Sequence, residues 1–267
     1  MIPVLAAFGL AFMEWDAFTP PRFIGLANFR RLLDDDSVHI AIRNTVYYTL
    51  GTVPLTLIAS LGLAILLNNT VKGMGFFRTA IFFPFITSLV AVAFVWNMMF
   101  HPTMGPINSF LRSMGVSSPP GWTASSAWAM PAIILTSVWR FMGYYMVIYL
   151  AGLQSIPKTL YEAAEIDGAN LWRRFLNITL PMLRPTTFFV IVMLTINCFR
   201  IFDLVQVMTQ GGPGRATTVL VHQLYHQAFV RFSFGYASSI ALVLFFIVIG
   251  VTVLQFLLGK KYEGGVL

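Results

Sequence analysis

Charge is what this chain of 267 residues has least of. Asp, Glu, Lys and Arg make up 10% of it and apolar residues 57%, where a soluble domain carries roughly 25% charged residues. That excludes a water-soluble globular domain. Cysteine is nearly absent too: Cys198 stands alone inside an apolar run, which excludes an internal disulfide or a cysteine-based metal site and leaves it a packing role. Catalytic words are also missing, since the chain contains no H-E-x-x-H, no G-x-S-x-G and no pair of intramembrane carboxylates. Covalent chemistry is therefore not expected. His222 and His226 have helical spacing, but no glutamate follows the first, and no metal is expected there. The run GGPGRATT at 211–218 is glycine-rich without the Gly-Lys-Ser/Thr ending that sets a lysine on phosphates, so nucleotide hydrolysis is not expected on this chain. The net charge of +7 comes without a Lys/Arg-rich block. Nucleic-acid binding is not expected; the basic residues lie in loops between apolar runs, as membrane topology demands.

Those apolar runs are the main content of the sequence. A bilayer core takes about 20 apolar residues per helix, and the runs 46–67, 79–100, 128–153, 186–208 and 236–258 reach that length. Residues 1–13 are apolar but too short to span, and no basic stretch precedes them as a signal peptide would require. The expectation is an all-α polytopic membrane protein, a single transmembrane domain over 1–267 with about six helices, the first incomplete in this chain. Pro54 and Pro84 fall inside two runs, where neighbouring groups can satisfy the freed carbonyls. Polar loops separate the runs at 14–45, 68–78, 101–127 and 209–235. Trp122 and Trp128 stand at the far end of the third loop, where interfacial aromatics gather.

The polar interruption at 155–181 differs from the others because it is patterned as helix. Pro157 suits a first turn, and Leu160 to Asp167 run without a breaker to Gly168. Asn170 can cap a second helix with Leu171, Phe175 and Ile178 on one face and Pro181 closing it. Two short helices meeting at a bend are expected, with Glu162, Glu165 and Asp167 beside the small Ala163 and Ala164 on the first.

Glu162-Ala163-Ala164, Gly168, Ile178, Leu180 and Pro181 follow the spacing E-A-A-x3-G-x9-I-x-L-P, which resembles the signature of permease subunits of ABC importers. Gly211-Gly212-Pro213 with Thr217 and Thr218 resembles the Gly-Gly-Pro loop of the carbohydrate-uptake, maltose-type members, and Gly25-Leu26-Ala27-Asn28-Phe29 resembles an element of their first external loop. The resemblance implies the type I ABC importer permease fold in a bacterial or archaeal cytoplasmic membrane. It implies that 155–181 is a cytoplasmic coupling helix docking on an ATPase, with Glu162, Ala163, Ala164, Asp167, Gly168, Leu180 and Pro181 as the coupling residues. The implied partners are a second permease subunit, two ATPase subunits that hold ATP and magnesium, an extracytoplasmic solute-binding protein and a sugar. No cofactor is implied on this chain. Two alanines permit close backbone approach, Gly168 permits the bend, and Glu162 offers a charge-assisted contact to a basic partner. An amphipathic connector lying on the membrane surface is the plainer reading of the same segment. With this loop inside, basic residues divide almost evenly between the two sides, but every lysine (Lys72, Lys158, Lys260, Lys261) falls inside.

The run 186–208 is the polar one, carrying Asn197, Arg200, Asp203 and Gln206. A charge at the centre of a span costs about 2.5–3.5 kcal/mol, so Arg200 and Asp203, three residues apart, are expected to face protein or water: they can pair and close or gate one end of the bundle, or border a solute route. Asn197 has two readings, a group bordering a water-filled solute route or a helix–helix contact. Tyr144 and Tyr145 could stack on a sugar face or serve as packing. The alternative outside this family is a self-contained channel or secondary transporter. Within it, the solute is a sugar or a polyol phosphate such as glycerol 3-phosphate.

Overall fold

The computed structural model describes residues 2–68 and 73–263, with side chains from 5 to 68 and 73 to 259; Lys72 and the side chains of Lys260 and Lys261 lie outside these. Apolar runs with few breakers fold as helices: α1 (Ile2–Leu10), α2 (Ala27–Asp34), α3 (Asp36–Leu67), α4 (Met74–Ile86), α5 (Leu89–Met99), α6 (Pro106–Ser113) and α7 (Ala129–Gln154). After them come α8 (Lys158–Ile166), α9 (Leu171–Arg174), α10 (Leu180–Met182), α11 (Arg184–Phe199), α12 (Asp203–Met208), α13 (Leu220–Tyr225) and α14 (Phe234–Glu263). A two-residue antiparallel hairpin, β1 (Met13–Glu14) with β2 (Arg22–Phe23), precedes α2. Three helices, Asp36–Leu67, Ala129–Gln154 and Phe234–Gly259, are long and apolar enough to cross a membrane. Counting the broken pairs Met74–Ile86 with Leu89–Met99 and Leu171–Met182 with Arg184–Phe199 as one span each gives five among the described residues.

Three boundaries differ from the hydropathy reading. Helix α3 begins at Asp36, well before the apolar run at 46, because the Asp35 carboxylate accepts the Ser37 N–H at 2.8 Å and Asp36 adds negative charge to the first turn. The expected span 79–100 is two helices. Pro84 lacks an N–H, and the chain leaves helix at Thr87, whose backbone is extended. The expected span 186–208 ends at Phe199, with a separate short helix starting at Asp203.

The chain gathers into two compact units. The first takes the described parts of 1–50, 89–133 and 196–267. In it α1 lies on α14, with the Phe8 ring 5.7 and 6.4 Å from those of Phe245 and Phe246. Leu32, Val38, Ala41, Leu220, Tyr236 and Ile240 make a buried cluster at the head of α14. Asn97 on α5 donates to the Val207 carbonyl of α12. The Pro- and Gly-rich stretch after α5 is held by Asn108, which accepts from the Trp122 indole at 2.6 Å and donates to the carbonyls of Pro102 and Pro120.

The second unit takes the described parts of 51–88 and 134–195. Its helices meet at small residues: a Cβ on Gly143 would collide with the Ile81 carbonyl of α4, and one on Gly152 would lie 2.8 Å from Thr186 Oγ1 of α11. Tyr149 donates to Thr187 across the same α7–α11 seam.

Candidate functional site

The segment 157–183 folds as a braced elbow. Pro157, at φ −58°, stands just before α8. At the other end Gly168 has φ +73°, its N–H donates to the Glu165 carbonyl and that of Ala169 to the Ala164 carbonyl. This is a Schellman closure, which needs a residue content in the left-handed region. Asn170 then caps α9, accepting the Arg173 N–H at 2.9 Å. Arg174, nearly buried, ties the two arms together through Glu165 at 2.9 Å and the Ala169 carbonyl at 2.8 Å. Tyr161 and Thr179 join hydroxyls at 2.9 Å on the other side.

None of the residues of α8 is buried. Glu162, Ala163, Glu165, Asp167 and Gly168 are exposed and Ala164 half-buried. The large apolar side chains of the bend face outward as well, Ile166 at 88% exposure and Leu171 at 82%. Beside them Ile65, Leu153, Tyr161, Trp172 and Phe175 line an apolar groove of about 680 Å³. Pro181 does not close the second helix as expected. The chain passes from α9 through a π-helical turn, Phe175–Thr179, into α10, with Leu180 and Pro181 half-buried, and bends by 62° into α11. A proline ring clashes with the carbonyl four residues back, and a wider turn just before it removes that clash. The extra residue in the turn also breaks the i, i+4, i+7 face assumed for Leu171, Phe175 and Ile178.

The Gly-Gly-Pro loop is closed upon itself. Gly211, at φ +83°, lies so near His222 that a Cβ would be 2.8 Å from the ring. Buried Thr217 and Thr218 donate to the carbonyls of Gly212 and Gly211, and Thr209 shares a 2.7 Å hydrogen bond with Thr217. From α3, buried Asn44 donates at 3.0 Å to both the Arg215 and the Thr218 carbonyl, and Thr45 accepts the Leu220 N–H. His222, on α13, is buried with Nδ1 unpartnered. Burial, and then the neighbouring His226, lower its pKa. In the first loop, Asn28 of the Gly-Leu-x-Asn-Phe word is likewise buried, donating to the carbonyls of Ala11 and Met13 at 2.9 Å. Asn28 stands in a word that the sequence reading names; Asn44 is not singled out by it.

The residues proposed for a solute route fall in both units, Tyr144 and Tyr145 in the second and Asn197, Arg200 and Asp203 in the first. Arg200 and Asp203 make no ion pair with each other, because α11 ends at Phe199 and the i, i+3 geometry is lost; both are exposed. Asn197 is half-buried on the last turn of α11. Tyr145 is fully buried, and Tyr144 stacks on Phe85 at 4.3 Å, a ring whose own carbonyl accepts from Arg140. Both tyrosines take part in packing, Tyr145 without exposed surface and Tyr144 half-buried.

Residues 62–264 match the family described as "Binding-protein-dependent transport system inner membrane component". The chain is 36% identical over 265 residues to the sn-glycerol-3-phosphate transport system permease protein UgpA of Agrobacterium fabrum, which covers 97% of this chain and 88% of that protein. It is 33% identical over 264 residues to the trehalose/maltose transport system permease protein MalF of Thermococcus litoralis, with 97% and 88% covered. A chain in the crystal structure of a bacterial alginate ABC transporter in complex with an alginate pentasaccharide-bound periplasmic protein matches with a TM-score of 0.83 at 21% identity, covering 98% of this chain and 88% of that one. That last likeness concerns the fold.

Proposed function

The chain belongs to the family of inner-membrane components of binding-protein-dependent transport systems, and from that premise we propose how this permease of an ABC importer is coupled and what it carries. The elbow at 158–182 is the surface that receives an ATPase subunit. The observation that carries this reading is that α8 buries nothing of its own while its bend is held by a Schellman closure, the Arg174 brace and the Tyr161–Thr179 bond. A connector needs only an apolar side toward lipid. A rigid, outward-facing Glu-Ala-Ala turn flanked by exposed Ile166, Leu171 and Trp172 is shaped for a protein cleft.

On this reading two ATPase subunits supply ATP and magnesium, a second permease supplies the other half of the pathway, and an extracytoplasmic binding protein delivers the solute. Closure of the ATPases moves the elbow and switches the pathway between inward- and outward-facing states. This chain performs no covalent step. The solute is a hydroxylated compound, a sugar or a polyol phosphate, as with the glycerol-phosphate and trehalose/maltose systems of the relatives. The membrane is the cytoplasmic membrane of a bacterium or archaeon.

The test is purification of the tagged chain from its host in mild detergent, followed by identification of the proteins that accompany it. An ATPase and a second permease are expected, and a cysteine at position 162 should cross-link to the ATPase. Recovery of the chain alone, with full solute flux in reconstituted vesicles lacking ATP, would overturn the assignment.

A further inference from the structure

The first unit holds a cleft that the transport reading does not use. It has a volume of about 600 Å³ and is lined by Glu14, Trp15, Asp16, Arg31, Arg231 and Tyr236 among others. Its wall is the β1–β2 hairpin, seated so closely on the head of α14 that a Cβ on Gly235 would collide with the Met13 carbonyl. The cleft therefore lies where the apolar membrane-crossing window of α14, Phe234–Gly259, begins.

The charges in the cleft are unevenly committed. Glu14 is paired with Arg22 at 2.8 Å. One oxygen of Asp16 takes the N–H groups of Phe18 and Thr19 and the Thr19 hydroxyl. Asp35, behind the ring, takes the Tyr236 hydroxyl at 2.7 Å and the Ser37 N–H. The two remaining cations have no carboxylate partner among the described residues: the Arg31 guanidinium lies 4.0 Å over the Tyr236 ring, and Arg231 borders the same ring. A guanidinium stacked on an aromatic face keeps its N–H fork free at its edges.

Trp15 and Phe232 line the cleft beside these cations, and each belongs to an aromatic pair. Trp15 meets Phe234 at 5.5 Å, Phe12 meets Phe29 at 5.3 Å, and Phe18 meets Phe232 at 5.6 Å. Phe18 is 77% exposed, and the backbone beside it is in the left-handed region at Ala17 and at Phe232. Aromatic side chains at the mouth of a span, next to unpaired arginines, match the layer where phosphate headgroups give way to acyl chains.

We propose that this cleft holds the phosphate diester of a membrane phospholipid, gripped by Arg31 and Arg231, with its acyl chains descending along the apolar side of α14 past Phe18 and Phe232. The bound lipid would pin the hairpin to the start of the last span.

The experiment uses the intact transporter, purified in detergent, incubated with phosphatidylethanolamine and phosphatidylglycerol, and weighed by native mass spectrometry to count retained phospholipid. Arg231→Gln should lower retention about tenfold, the worth of one charge-assisted contact, and Arg31→Gln should do the same. Arg30→Gln, an exposed position on α2 outside the cleft, should change nothing. Since Arg31 also stacks on Tyr236 and its loss can weaken the fold, Arg231→Gln carries the test. Excess inorganic phosphate should leave the lipid in place. Equal retention by wild type and Arg231→Gln overturns the proposal. So does displacement by inorganic phosphate, which would mark a soluble-anion site, and so does an Arg231→Gln variant that keeps its lipid but loses a protein partner.

Discussion

The elbow at 158–182 and the Gly-Gly-Pro loop at 209–220 are both polar breaks between apolar helices, and both bend at a glycine with positive φ, Gly168 and Gly211. Their side chains are spent in opposite directions. In the Gly-Gly-Pro loop the threonines turn inward to backbone carbonyls, and Asn44 reaches over from α3 to hold two more. In the elbow the backbone closes itself through the Schellman bonds, leaving Glu162, Ala163, Ile166 and Asp167 facing outward. A loop whose threonines are answered within the chain serves its own architecture. The elbow spends Asn170, Arg174, Glu165, Tyr161 and Thr179 on its own bracing, and on the proposed reading its remaining outward side chains are kept for a partner.

This contrast can be broken most severely at Gly168. Proline has φ near −65° and cannot adopt +73°, so Gly168→Pro should abolish uptake, to below about a tenth of wild type, while membrane insertion and the melting of the unit around the Gly-Gly-Pro loop stay as they were. Normal uptake would mean the elbow docks nothing. Next comes Asn44→Leu, which strands one buried and one partly buried carbonyl at a cost of about 1–3 kcal/mol. Here the expected loss is of structure: trypsin should cut after exposed Arg215 faster than in wild type, with cleavage unchanged at Arg173. If both sites open together, the two loops are not independently held.

A smaller effect is expected from pH. His222 has its folded pKa lowered by burial and by His226, so its contribution to stability is complete above the unfolded value of about 6.5 and is lost as pH falls through the lower folded value. Acidification from pH 7.5 to 5.5 should therefore loosen the Gly-Gly-Pro loop in hydrogen exchange and leave the elbow unmoved, and His222→Asn should flatten that response. Smallest is Glu165→Gln. Its partner Arg174 keeps a backbone carbonyl, Glu165 is two-thirds exposed, and such pairs are worth about 0–1 kcal/mol. Melting temperature should hardly shift; a fall of more than about 5 °C would show that the brace is a main support of the elbow.

Much of this contrast was legible from residue order. Gly168 and Asn170 act within three residues of one another, and local turn chemistry predicts both the closure and the cap. The apolar runs at 128–153 and 236–258 fall within a few residues of α7 (Ala129–Gln154) and α14 (Phe234–Glu263), since each is long enough to make a membrane-crossing helix by itself. What depends on distant partners was not legible. Asn44 reads as one more polar residue ahead of a span, and its carbonyl partners lie 171 and 174 positions away. The Arg200–Asp203 pairing assumed a continuous helix, whereas the chain leaves helix between them. Pro181 reads as a stop, but a π turn lets the helix run past it, and no composition rule announces such a turn.

The 62° bend at Leu183, a residue with no exposed surface, gives the elbow a mechanical character. With its bend locked by Arg174 and the Schellman bonds, the arm from α8 to α10 cannot absorb a push by flexing. If an ATPase docks at Glu162 as proposed, the arm acts as a crank whose pivot is the packed Leu183, and a displacement applied there arrives as torque on the first turns of α11. Softening the crank would waste the stroke even with every contact at its tip intact.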